Sequence, residues 1–162
     1  MVLKAFKFRC FPTKQQAQLI RKTFGCSRFL FNHLLSEQHQ KDEYWYVVQE
    51  MVQSGQLPRN NWKGGFFNKV ENVKKIPLFK KEYAFLKEVD SIALQASVEN
   101  LADSYDRYYK KQNGQPKFKS KKNPIQSYTT KSVHNNIQII DNRIKLPKLG
   151  TVRFAKSREV NG

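Results

Sequence analysis

The order of its periodicities is what most constrains how this chain can fold. Residues 2–11 alternate, with Phe6, Phe8 and Cys10 on one side and Lys7 and Arg9 on the other, the two-residue period of a half-buried strand. Pro12 stops the alternation, and no strand-like run returns before residue 113. Beyond it, 126–131, 137–140, 143–146 and 151–155 read as short strands, the middle two joined through Asp141-Asn142 as a hairpin with a two-residue turn. A lone strand parted from its partners by a helical block predicts an α+β fold: a sheet or small barrel with the helices inserted after its first strand. The chain accordingly divides into a first strand (1–12), a helical domain (13–112), and a basic loop with the remaining strands (113–162).

Inside the block, Thr13 and Gln16 form a capping-box pattern that opens a helix carrying Ala17, Leu19, Ile20 and Phe24. Gly25 is expected to end that helix and Ser27 to cap a second one through Leu30, Phe31, Leu34 and Leu35. Residues 13–36 thus read as a helix-turn-helix-like pair, with a packed helical hairpin as the alternative. A further helix is expected at 42–54 with an aromatic patch (Tyr44, Trp45, Tyr46), and a short one at 62–73. The longest runs over 91–111, with Asp90 as its N-cap and Leu94, Val98, Leu101, Tyr105 and Tyr108 as its core-facing stripe. Glu99, Asp103 and Asp106 share a neighbouring face, where solvated acids or partners for Lys are the leading reading and a divalent-cation site the lesser one.

Charge names the partner. Thirty Lys and Arg against thirteen Asp and Glu give +17, in blocks: residues 1–36 carry seven bases and no acid, 88–106 five acids and no base, 107–131 eight bases and no acid. Two acid-free blocks point to polyanion-facing surfaces. Lys110, Lys111, Lys117, Lys119, Lys121 and Lys122 concentrate charge on a segment expected to be flexible, suited to phosphates and not to base reading. Phe118 among them either stacks on a base or anchors the loop. No apolar run is long enough to span a membrane. Cys10 and Cys26 match neither a disulfide scaffold nor a zinc motif and read as small buried hydrophobes in a reducing compartment. The three His are scattered, and Gly64-Gly65 lacks a phosphate-loop context, so no catalytic residue, metal ligand or cofactor is expected.

Four separated motifs then occur in one order: residues 4–13 (KAFKFRCFPT), 24–32 (FGCSRFLFN), 86–95 (LKEVDS followed by Ala93-Leu94-Gln95), and 145–150 (KLPKLG). Together they resemble the N-terminal half of the TnpB (OrfB) proteins of bacterial insertion sequences, and Pro116–Lys121 with Ser127–Thr130 fit the same pattern. The resemblance implies an RNA-guided DNA endonuclease related to type V CRISPR effectors: a wedge-type β-barrel interrupted by a helical recognition domain, then a RuvC-like nuclease with a zinc-binding insertion. Guide RNA and DNA are the implied partners, in the cytoplasm of a bacterium or archaeon and associated with the nucleoid. It further implies that Ser91 and Gln95, with Thr129 or Thr130 and an aromatic near Trp62, read a short DNA motif beside the target. An amide such as that of Gln95 can pair bidentately with adenine. Phosphate and RNA contacts are expected from Lys4, Lys7, Arg9 and Arg28 together with the six lysines above.

The RuvC-like site of such proteins uses three carboxylates and two metal ions supplied downstream of Leu149-Gly150, a stretch beyond this chain. The wedge is therefore expected to be incomplete, the chain truncated and non-cleaving, with the nuclease on a separate chain if anywhere. The alternatives are a stand-alone helix-turn-helix transposon regulator and an inactive transposase remnant.

Overall fold

The computed structural model describes residues 4–59 and 65–157. Its elements are β1 (Cys10–Phe11), α1 (Lys14–Gln53), α2 (Lys69–Lys74), α3 (Ile76–Glu82), a 3-10 turn (Ala84–Lys87), α4 (Ser91–Tyr109), β2 (Gln138–Ile140), β3 (Arg143–Leu146) and β4 (Gly150–Phe154). The fold is α+β, with all four described helices between the first strand and the other three.

The local signals act as written. Gln16 N–H donates to Thr13 Oγ1 at 3.2 Å while Thr13 N–H donates to Gln16 Oε1 at 3.0 Å, a complete capping box. Asp90 Oδ1 accepts from Ile92 N–H at 3.1 Å and opens α4. Gln138–Ile140 pairs with Arg143–Leu146 around Asp141, whose φ of 52° suits the tight hairpin turn.

Gly25 does not behave as expected. No turn forms there: α1 is one helix of 40 residues, and Ser27 lies inside it, its carbonyl accepting from Ser97 Oγ of α4 at 2.6 Å. A glycine inside a helix costs about 1 kcal/mol relative to alanine, whereas Cys26, Leu30, Phe31, Leu34 and Leu35 bury a stripe that continues across it. Each such side chain contributes about 1.5–3 kcal/mol on burial, so the continuous stripe wins. The helix ends instead at Gly55, whose φ of +77° closes the last turn, with Gln56 N–H on Met51 C=O at 2.9 Å. Since nothing lies within 4 Å of a Cβ added at Gly25, Gly25→Ala is expected to raise stability by about 0.5–1 kcal/mol. A thermal melt showing destabilisation would restore the turn.

The core is the seam of α1 on α4. Leu30, Leu35, Leu94, Val98 and Leu101 are fully buried, with Tyr105 beside them and Ile76, Phe79 and Leu86 closing one end. Tyr108, expected on the same stripe, is 36% exposed one residue before the end of α4, its ring tilted against Tyr109.

Among the described residues the sheet runs β1-β4-β3-β2, antiparallel and open, without closing into a barrel. The predicted first strand reduces to Cys10–Phe11, since β4, its neighbour, ends at Phe154; one further bond joins Ala155 N–H to Arg9 C=O. Cys10 is correspondingly exposed and not buried, while Cys26 is buried as expected. Residues 126–131 form no strand, being held by side chains as described below. Of the helix expected at 62–73, residues 62–64 lie outside those described, 65–68 are not helical, and only the part from Lys69 forms α2. Among the described residues no helix is long and apolar enough to cross a membrane.

Candidate nucleic-acid interface

The basic segment after α4 is a fixed strap, not a flexible loop. The Asn32 amide clamps its backbone, with Lys119 N–H donating to Oδ1 at 2.8 Å and Nδ2 donating to Lys119 C=O at 2.9 Å. Phe118 leans its ring against His39, 5.5 Å between centroids, and anchors the segment. One helical turn before Asn32, Arg28 Nη1 donates to Gln126 Oε1 at 2.9 Å, and the Gln126 amide donates in turn to Asn123 C=O at 2.6 Å and Ser120 C=O at 3.2 Å. Another turn back, Phe24 packs on Tyr128 at 5.9 Å. The strap therefore follows α1 backwards, one contact per turn, which sets the positions of Arg28, Asn32 and Phe24 along one face.

Its end is fastened to α4. Thr130 Oγ1 donates to Asp90 Oδ2 at 2.5 Å, and Lys131 pairs with Glu99. Asp90 is buried and accepts from both the first turn of its own helix and the strap. Burial, with the Asp90 carboxylate nearby, pushes the Tyr128 phenol up from its ordinary pKa. At this corner lie Ser91, exposed, its Oγ accepting from Lys80 Nζ at 2.6 Å, and exposed Thr129, with half-buried Gln95 about one turn along α4. Four of the five residues expected to read DNA thus stand on or beside the Asp90–Thr130 junction. Trp62 lies outside the described residues.

The phosphate candidates separate. Lys110, Lys111, Lys117, Lys121 and Lys122 are exposed along or just before the strap. Lys111 sits at φ 56°, in the left-handed cap that ends α4. Lys119 differs from its neighbours: its ammonium lies 4.0 Å over the Phe31 ring, where burial lowers its pKa. Lys4, Lys7 and Arg9 are exposed beside the sheet, and Arg28 is half-buried in its bond to Gln126.

Sequence reasoning missed Asn32, Gln126 and Lys80. The available signal for Asn32 was the polar pair Asn32-His33 interrupting the apolar residues Phe29–Phe31 and Leu34-Leu35. Among the described residues no group of three His, Cys, Asp or Glu comes together, and Asp90 and Glu99 are engaged by the strap. The described residues offer no such group for the metal pair that the resemblance places downstream.

Residues 1–44 match the family described as "Helix-turn-helix domain", of the OrfB IS605 type. Over 123 residues the chain is 32% identical to a Streptomyces pristinaespiralis protein named "Putative RNA-guided DNA endonuclease", covering 75% of this chain and 26% of that protein. Over 160 residues it is 29% identical to "Putative RNA-guided DNA endonuclease InsQ" of Escherichia coli (strain K12), covering 99% of this chain and 35% of the relative. The chain thus spans about a third or less of the length of these relatives. By the domain that its first 44 residues match and by both relatives, the sequence is of the OrfB type found in insertion sequences.

Proposed function

We propose that this chain is the nucleic-acid-holding part of an OrfB-type RNA-guided DNA endonuclease, that it binds guide RNA and target-adjacent DNA, and that it carries no cleavage step of its own. The observation that supports this reading best is the Thr130–Asp90 bond, which joins the basic strap to the N-terminus of α4. Ser91 and Thr129 are exposed next to that bond and Gln95 lies about one turn along α4, while exposed lysines run along the strap. In that arrangement the lysines neutralise phosphates and fix register, and the corner meets base edges. Gln95 offers the amide for adenine. In this reading the open sheet is part of a wedge, residues 13–112 are the recognition domain, and the cleaving carboxylates come from elsewhere in the assembly. An intracellular, nucleoid-associated setting belongs to the same proposal.

The test is selection of duplexes randomised beside a fixed target by the RNA-loaded protein. Gln95→Ala is expected to flatten the preference at one position by about tenfold, the scale of one bidentate contact, and to leave RNA affinity unchanged. An unaltered preference profile would remove Gln95 and the corner from the reading. The match to a helix-turn-helix domain also favours DNA contact by residues 1–44, but with α1 unbroken at Gly25 that contact would come from a continuous helix and not from a recognition helix after a turn.

A further inference from the structure

At the opposite end of α4 from the Asp90 corner, aromatic rings gather, Trp45 and Tyr46 of the expected aromatic patch among them. Trp45 and Tyr46 of α1, Phe66, and Tyr108 and Tyr109 of α4 line a pocket of about 280 Å³. Tyr46 is 63% and Phe66 67% exposed, so these rings present faces to solvent instead of filling a core. The floor beneath is firm: Tyr109 stacks on buried Tyr105 at 5.6 Å, Tyr105 stacks on Phe67 at 5.3 Å, and Phe66 meets Tyr109 edge-on at 5.0 Å.

Polar groups define one edge. Asp42 lines the pocket, with Gln115 across from it in sequence. Gln38, only 2% exposed, donates through Nε2 to Asp42 Oδ1 at 2.9 Å and to the Gly65 carbonyl, which holds the carboxylate and the pocket wall in place. Among the described residues the one hydrogen-bond donor to this carboxylate is neutral and on Oδ1, which leaves it accepting capacity. Lys110 and Lys111 follow Tyr109 directly and are exposed.

We infer that this pocket holds an unpaired nucleobase of a single-stranded nucleic-acid segment, stacked on the tyrosines with its amino edge toward Asp42 and its phosphates toward Lys110 and Lys111. The inference rests on the nucleic-acid-binding reading above and adds a second, base-stacking site to it. Flat faces and basic flanks are the usual means of holding single strands. An aromatic cage with an acid also suits an organic cation, but a protein of +17 repels one and draws a polyanion. The size, just under the roughly 300–1,000 Å³ that takes drug-sized ligands, suits one ring system. A base with an exocyclic amino group, as in adenine, cytosine or guanine, supplies the donor that Asp42 accepts.

The experiment uses the whole chain and two labelled oligomers of about a dozen nucleotides, within the usual site sizes for single strands: one of mixed dA and dC, one an abasic deoxyribose-phosphate backbone. The base-bearing oligomer is expected to bind more tightly. Tyr46→Ala, a change at an exposed ring, is expected to weaken it about tenfold and to leave the abasic oligomer unaffected. Asp42→Asn is expected to narrow the preference for dC over dT. Equal binding of the two oligomers, or an unchanged affinity in Tyr46→Ala, overturns the pocket while leaving the broader reading intact. Failure of both oligomers, and of structured RNA, to bind overturns the two together.

Discussion

Leu101→Ala is expected to destabilise the chain by about 2–5 kcal/mol, the cost of emptying a filled core site. Leu101 is wholly buried in the α1–α4 seam, with Leu94 and Val98 before it on α4 and Tyr105 after it, and it belongs to the same cluster as Leu30 and Leu34 of α1. Truncation removes apolar surface and leaves a void that two rigid helices cannot collapse into. For a chain of this size each kcal/mol corresponds to about 2–4 °C in Tm, so the shift is read easily in a thermal or urea melt. Ile125→Ala is the control: at 81% exposure on the strap it is expected to stay within about 0.5 kcal/mol of the parent. Equal melts for the two variants would mean that the seam is not the core.

The second large effect is of salt. If about six of the exposed bases contact duplex phosphates, affinity is expected to fall about a thousandfold between 50 and 200 mM salt, with a slope of log K on log salt of roughly −5. Replacing Lys117, Lys121 and Lys122 by Gln is expected to make that slope shallower by nearly three. Lys119→Gln is expected to change it far less, because its ammonium already sits over Phe31. Binding titrations at several salt concentrations decide the matter. Parallel slopes for the triple variant and the parent would show that the strap does not face phosphates.

Which parts of this fold could be read from sequence follows the range of the interactions that made them. The Thr13–Gln16 box, the Asp90 cap and the 138–146 hairpin are each settled within a few residues, and each stands where its residues put it. The two glycines show the limit. Gly55 ends a helix as the rule says, whereas Gly25 lies within a buried stripe whose packing partner is some 70 residues away on α4. No local rule weighs that burial against the glycine.

The strap failed for the same reason. Residues 126–131 have strand-like composition, but Arg28, Phe24, Asp90 and Glu99 hold them by side chains, leaving no ladder to join. At the candidate site, Ser91, Gln95 and Thr130 were named by resemblance, while Asp90 was legible only as a cap. That it also receives Thr130 could not be seen without the third dimension.

The pairing of β1 with β4 bears on how the chain is made. Cys10 finds Phe154, and Gln16 Nε2 donates to the Leu149 and Thr151 carbonyls, across nearly the whole length of the sequence. Such contacts are of very high contact order and form only after the entropy of closing so long a loop has been offset. The helical seam shortens that loop by bringing its ends together. A ribosome emitting this chain would release β1 well before β4, its strand partner among the described residues, so Cys10–Phe11 wait unpaired while the whole helical block is made. The α1–α4 seam and the local hairpin are then expected to form early and the joining of β1 to β4 after them.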